Sequence, residues 1–261
     1  MMPASVPDEM LSTSMTRPDE RSIRTPKKRP SYFRVVGAER ADERAAPDPR
    51  AGARRALNVA VALLGIIITA PIGILIAILV KVTSRGPVFY TQVRVGLDGR
   101  RRGAAPDDRR RRQDIGGKPF NIYKFRTMHV TAESETGEVW ATTDDPRVTR
   151  VGRFLRRHRL DELPQLINVV KGDMNVVGPR PERPTIFASL RDTVPNYRER
   201  QRTLPGITGL AQIRQQYDSC IEDVSRKVEF DLHYIKRQGF WGDLRIMLET
   251  IPVILLRRGG W

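Results

Sequence analysis

A single cysteine, Cys220, occurs in 261 residues. That excludes an internal disulfide framework and a thiolate zinc cluster. Histidine is nearly as scarce: His129, His158 and His233 are scattered and make no metal-ligand spacing. His158 stands among arginines and reads as a surface side chain rather than a base. Acidic residues are outnumbered, 30 Asp and Glu against 46 Lys and Arg, for a formal net charge of +16. Such an excess calls for an anionic partner: nucleic acid, phosphorylated small molecules, or an anionic membrane surface. Long hydrophobic runs are absent except for one. No apolar core follows a short basic start, so no secretory signal is expected.

What is present divides the chain into three. Residues 1–53 hold seven of the nineteen prolines among Ser, Asp, Glu and Arg, with little apolar periodicity. They read as a disordered, basic, Pro-rich tail with one small cluster at Lys27-Lys28-Arg29. Residues 54–82 contain the one strongly apolar run, in which Asn58 and Thr69 are the conspicuous polar groups. A helix over residues 57–80 would reach roughly 36 Å, enough for a hydrocarbon core of about 30 Å. Pro71 removes a backbone bond past its middle and should kink it. Both flanks are basic, which places both ends on the cytoplasmic side. A straight span and a re-entrant hairpin bent at Pro71 both fit, with the Thr69 hydroxyl satisfying carbonyls that the proline frees.

Residues 83–261 read as one globular domain of helices and a small sheet, an α+β class. Pro87-Val88-Phe89-Tyr90 and Gln92 to Gly96 read as strand. Phe120 to Phe125 alternates apolar and polar residues as a half-buried strand does. Between them, residues 98–118 carry Arg100-Arg101-Arg102 and Arg109 to Arg112 without periodicity. This is an inserted loop in a hairpin, suited to lipid heads or to nucleic acid. Lys124 and Arg126 sit at alternate positions and share a face if the strand continues. That face could grip phosphate, or merely protect an exposed edge. Val148 to Leu155 is amphipathic, and Glu222 to Lys236 suits a helix. Phe240 to Arg258 has an apolar stripe that fits either a membrane interface or the core.

The centre of the domain is Asp161-Glu162-Leu163-Pro164-Gln165-Leu166. Pro164 belongs in a first helical turn. Leu163, Leu166, Ile167 and Val170 then recur at helical spacing until Gly172. Asp161 therefore reads as an N-cap, kept ionised by the helix end. Arg150, Arg153, Arg156, Arg157, Arg159, Lys171, Arg180 and Arg183 surround the pair in sequence. Acids among arginines suit a site that holds a metal and a diphosphate together, or a set of solvated ion pairs. Two prolines bracket Arg180 in Gly178-Pro179-Arg180-Pro181-Glu182 and demand a rigid turn. Leu204 to Gly209 is a second rigid turn.

These stretches resemble the bacterial sugar transferase family, the monotopic polyprenyl-phosphate phosphoglycosyl transferases, from about Arg54 to the C-terminus. The matching motifs include Gln92-Val93-Arg94-Val95-Gly96, Tyr123-Lys124-Phe125-Arg126-Thr127-Met128 and Leu160-Asp161-Glu162-Leu163-Pro164-Gln165-Leu166. They continue with Gly178-Pro179-Arg180-Pro181-Glu182 and Pro205-Gly206-Ile207-Thr208-Gly209-Leu210-Ala211-Gln212. The resemblance implies a phosphotransferase that moves a sugar-1-phosphate from a UDP-sugar to polyprenyl (undecaprenyl) phosphate and releases UMP. It implies the cytoplasmic face of a bacterial inner membrane and a first step of exopolysaccharide, lipopolysaccharide O-antigen or other glycoconjugate synthesis.

By the same resemblance, Asp161 is the nucleophile and Glu162 a ligand of Mg2+, with Asp161 also at the metal. Lys124, Arg126, Arg156, Arg180 and Glu182 would contact substrate, and Gln165 would support the pair. The membrane segment would be re-entrant at Thr69 and Pro71. The implied partners are UDP-sugar, polyprenyl phosphate and membrane lipid but no nucleic acid, with a homodimer as one assembly open to it.

The chain departs from the family pattern where Asn58 replaces an acid, where Asn175 replaces Ser after Gly-Asp-Met, and in the 98–118 insertion. Its tail is too polar to supply the bundle of spanning helices that larger members carry. A UDP-releasing glycosyltransferase and a non-catalytic, membrane-tethered nucleic-acid binder are the rival readings.

Overall fold

The computed structural model describes residues 51–99, 116–130, 132, 145–215 and 220–255. The readings of the tail up to residue 50, of residues 100–115 of the 98–118 insertion and of residues 256–258 lie outside them. A mixed α+β architecture is present, with two small sheets and one long apolar helix.

That helix, α1, runs Ala51–Thr83. Its 33 residues reach about 50 Å at 1.5 Å per residue. It is long and apolar enough to cross a membrane. Apolar side chains such as Leu64, Ile67, Ile68 and Ile74 are more than half exposed on it. Helical residues continue through Pro71 without interruption. The Thr69 hydroxyl donates to the Gly65 carbonyl at 2.6 Å. It does not reach the Ile67 carbonyl, four residues before the proline, because a hydroxyl on a helix bonds one turn back from its own position.

The two stretches read as separate strands before the insertion form one strand, β1 (Phe89–Val95), antiparallel to β2 (Pro119–Phe125). The register pairs Phe89 with Phe125 and Val95 with Pro119. Phe120, Ile122 and Phe125 of β2 are buried. A second sheet pairs β3 (Asn175–Val177) with β4 (Gly206–Thr208) in parallel. The strands approach so closely that a Cβ on Gly206 would lie 2.0 Å from the Gly178 nitrogen. Only glycine leaves room there.

Helix α2 is Arg150–Arg157, capped by the Thr149 side chain, which accepts from the Gly152 amide at 2.9 Å. Phe154 of the amphipathic stretch is exposed rather than packed with Val148 and Leu155. Helix α3 is Gln165–Lys171 and ends at Gly172 with φ +92°. Helices α4 (Pro184–Leu190) and α5 (Leu210–Arg214) are short. Helices α6 (Ile221–Arg237) and α7 (Phe240–Leu255) close the described chain.

α1 packs against α2, α3, α7 and β3. Ile76 and Val80 of α1 share a buried cluster with Phe125 and Leu155. Ala62 joins a larger one with Ile122, Val169, Val176 and Tyr234. Polar ties fix the helix as well. Arg54 bonds Asp243 at 3.0 Å, and Asp243 accepts from the Tyr234 hydroxyl at 2.8 Å. The fully buried Asn58 accepts from the Val176 amide at 2.6 Å and donates to the Arg54 carbonyl. An amide thus links α1 to β3, and Asp243 supplies the acid for Arg54.

Candidate active site

Three pieces of chain bring the charged groups together. Asn168 of α3 bonds β2 on two sides: it accepts from the Tyr123 amide at 3.0 Å and donates to the Asn121 carbonyl at 2.7 Å. This fixes the middle of α3 against the middle of β2, and Lys124, next along β2, meets the acidic pair. Lys124 Nζ lies 2.8 Å from Glu162 Oε1 and 3.9 Å from Asp161 Oδ2.

The rigid turn supplies the second cation, and Arg180 Nη2 bonds Glu162 Oε1 at 2.8 Å. Several neighbours hold that turn. Gly178 N–H donates to Thr208 O, and Gly206 N–H donates to Pro179 O. Arg94 donates to Pro181 O, and Arg200 donates to Arg180 O.

Helix α2 supplies the third cation. Arg156 Nε donates to Thr127 Oγ1 at 2.9 Å, and burial lowers its pKa while Asp161 works to raise it. The close packing behind it depends on Gly152, where a Cβ would lie 2.0 Å from the Thr127 carbonyl oxygen.

Asp161 is not an N-cap. Leu160–Glu162 is a 3₁₀ turn entered through Arg159, a non-glycine residue at φ +54°. The residue at the head of α3 is Pro164, and no side chain caps that helix. A proline fits a first turn, so the helix starts after it and leaves Asp161 a turn earlier, facing Lys124. The helix end therefore does not keep Asp161 ionised. Burial raises its pKa, and the Glu162 charge adds to that, while Lys124 and Arg156 oppose it.

Glu162 goes the other way. Burial alone would raise it, but Arg180 and Lys124 hold it well below the usual carboxylate range. Two adjacent acids, both about 7 % exposed, are thus driven apart: the cations hold Glu162 as an anion, while burial pushes the Asp161 carboxyl up.

Not every expected site residue joins them. Arg126 lies one residue beyond the end of β2, so it does not share a strand face with Lys124. It is buried against the end of α1, where it donates to the Ser84 carbonyl at 2.8 Å and the Ser84 hydroxyl at 2.7 Å. Glu182 bonds Lys227 at 3.0 Å and faces Arg200 at 3.6 Å. Burial would raise it, but Lys227 and Arg200 outweigh that and hold it at about 2. Gln165 is 2 % exposed at the first position of α3. Thr69 and Pro71 stay on α1. Sequence reasoning assigned no role to Asn168 or Thr127, which place the cations, or to Gln212, whose Oε1 lies 3.4 Å from Arg180 Nη1. Their motifs were visible, but nothing in the pattern told a positioning amide from a structural one.

Among the described residues no three His, Cys, Asp or Glu side chains group as metal ligands. A magnesium ion needs fewer, because one or two carboxylates plus substrate phosphates and waters suffice. Asp161 and Glu162 offer hard oxygens, and the cost of burying the Asp161 charge is what a cation would relieve. The donor set fits.

The description of the bacterial sugar transferase family matches residues 50–104 and 108–257. One relative is the UDP-glucose:undecaprenyl-phosphate glucose-1-phosphate transferase of Escherichia coli (strain K12). It is 40 % identical over 201 residues, which are 76 % of this chain and 39 % of that protein. The UDP-N-acetylgalactosamine-undecaprenyl-phosphate N-acetylgalactosaminephosphotransferase of Aeromonas hydrophila is 38 % identical over 202 residues, 77 % of this chain and 43 % of that protein. The UDP-glucose:undecaprenyl-phosphate glucose-1-phosphate transferase of Caulobacter vibrioides is 38 % identical over 204 residues, 77 % and 69 % of the two chains. The chain spans about two fifths of the length of the first two. With the match covering most of its length, the chain belongs to the bacterial sugar transferase family.

Proposed function

We propose that the protein transfers a sugar-1-phosphate from a UDP-sugar to polyprenyl phosphate and releases UMP. The observation that carries this is the buried Asp161–Glu162 pair beside Lys124, Arg156 and Arg180. The names of the relatives supply the substrate classes.

In the first step an Asp161 carboxylate oxygen attacks the phosphorus that bears the sugar. An Asp–O–P bond forms, the diphosphate P–O bond breaks, and its electron pair leaves with UMP. In the second, a phosphate oxygen of the lipid attacks the same phosphorus. The Asp–O–P bond breaks and the carboxylate is restored. Glu162 keeps Lys124 and Arg180 in place between turnovers, and those cations with Arg156 stabilise charge on the phosphoryl oxygens. Asp161 and Glu162 would hold a magnesium ion, which would neutralise diphosphate charge. The long apolar helix supports action at a membrane. We place it as a re-entrant segment bent near Pro71, with the site on the cytoplasmic face of the inner membrane.

The test incubates purified protein with magnesium, a panel of UDP-sugars and labelled UMP, without lipid. Label should enter one UDP-sugar, and Asp161→Asn should abolish that exchange. Exchange surviving in the variant would assign the nucleophile elsewhere. A glycosyltransferase that releases UDP would exchange no UMP at all.

A further inference from the structure

A cleft of about 140 Å³ opens beside the acidic pair. Leu163 and Leu166 contribute from α3 and the turn before it, Ile207 and Ile213 from β4 and α5, and Val253 and Ile254 from α7. Glu162 lines the same cleft, so one space borders both the charged centre and a wall of branched aliphatic side chains.

The apolar character does not stop at the rim. Ile254 is 46 % exposed and Ile251 52 % on α7, and Ile167 is 44 % exposed on α3. On the other side Leu166 lies against α1, where a Cβ on Gly65 would sit 3.1 Å from Leu166 Cδ1. Exposed aliphatic side chains of α3 and α7, and the face of α1 at Gly65, thus lie next to the cleft.

A ligand suited to this space has an anionic head and a branched hydrocarbon body. The head would meet Arg180 and Lys124, and the body would leave past Leu163 and Ile213 toward α1 and α7. A dry apolar cavity of roughly 150 Å³ accepts a benzene-sized group, about one isoprene unit. Arg159, Thr208, Gln212 and Thr250 also line the cleft, but its exposed surface is mostly apolar.

We infer that this cleft seats the first isoprene unit of the acceptor lipid, with the rest of the chain running along the exposed faces of α7 and α1. The inference rests on the proposed transfer to polyprenyl phosphate and adds where the hydrocarbon binds.

Ile213→Trp and Ile254→Trp each fill the cleft from a different helix. The lipid-free exchange of UMP serves as the folding control and as the test of the first step. It should stay within about twofold of wild type, while the KM for undecaprenyl phosphate should rise about tenfold or more. An unchanged lipid KM would overturn the assignment, as would a rise in the KM for UDP-sugar or loss of UMP exchange in a variant that melts as the wild type does. Absence of UMP exchange in the wild type would instead sink the underlying reaction.

The cleft has its own turnover-independent readout. A prenyl phosphate with a photoreactive diazirine in its first isoprene unit should label peptides from 159–166, 204–214 or 240–255. Labelling confined to other segments would rule the cleft out.

Discussion

Lys124 Nζ sits 2.8 Å from the Glu162 carboxylate but 3.9 Å from that of Asp161. The firm ion pair is with the residue that does not react in the proposed chemistry. Lys124 still acts on Asp161 through space, and it is the largest influence opposing the burial that raises that carboxyl. The attacking group is left without a tight partner to break, and so stays available.

Lys124→Met should move the acid limb of the exchange reaction to higher pH. The sign follows from the charges: an ionised Asp161 is required, and a nearby cation favours ionisation. Removing the cation lets burial and Glu162 raise the carboxyl further, so activity returns only at more alkaline pH. The loss of phosphoryl charge stabilisation should also lower the plateau rate about 10²–10³-fold. A pH–rate profile from 5 to about 9 checks both, in the range where perturbed carboxyls titrate. A limb that stays put, or moves to lower pH, contradicts the coupling.

The hairpin, α3 with its Gly172 stop, α6 and the rigid Arg180 turn were legible because each rests on local rules. Alternation marks β2, a left-handed glycine marks the end of α3, and paired prolines mark the turn. The parallel β3–β4 pair was not legible, since three residues are too few to show a period of two. Arg126 was misplaced because sequence alternation cannot show that a strand ends one residue sooner. Asp161 was misread as a cap for a related reason. An acid two residues ahead of Leu163-Pro164 looks like a helix entrance, and only the 3₁₀ turn at Leu160–Glu162 reveals that the entrance lies later. Its raised carboxyl depends on burial by distant elements, which no local pattern encodes.

Arg200 is a positioning residue for Arg180. It is 2 % exposed, bonds Asp231 at 2.7 Å, and donates to the Arg180 carbonyl at 3.2 Å. Arg200→Met leaves Asp231 as a buried carboxylate without its guanidinium, which should cost about 3–5 kcal/mol. Adding Asp231→Leu removes the stranded charge and should recover much of the melting temperature in detergent. Activity should not recover with it, because the Arg180 carbonyl still lacks its donor. Its expected signature is a raised KM for UDP-sugar in a refolded, stable double variant. Full recovery of both properties would reduce Arg200 to a structural role.

Gly152 tests whether Arg156 must be held where it is. An alanine methyl would meet the Thr127 carbonyl oxygen at 2.0 Å, and that oxygen already accepts from the Thr149 amide at 2.9 Å. Neither backbone can yield without moving α2, since Thr149 also caps the helix. Gly152→Ala should therefore cost about 1–3 kcal/mol, the usual range for overpacking. It should also lengthen the bond from Arg156 Nε to Thr127 Oγ1 and weaken exchange activity. Arg156→Lys separates the two effects, because it keeps the charge and the helix position but loses the planar guanidinium. If Gly152→Ala lowers stability and leaves exchange at the wild-type rate, α2 serves only to pack the fold. If exchange falls in both variants while Arg156→Lys melts as the wild type does, the guanidinium's placement is what the helix provides.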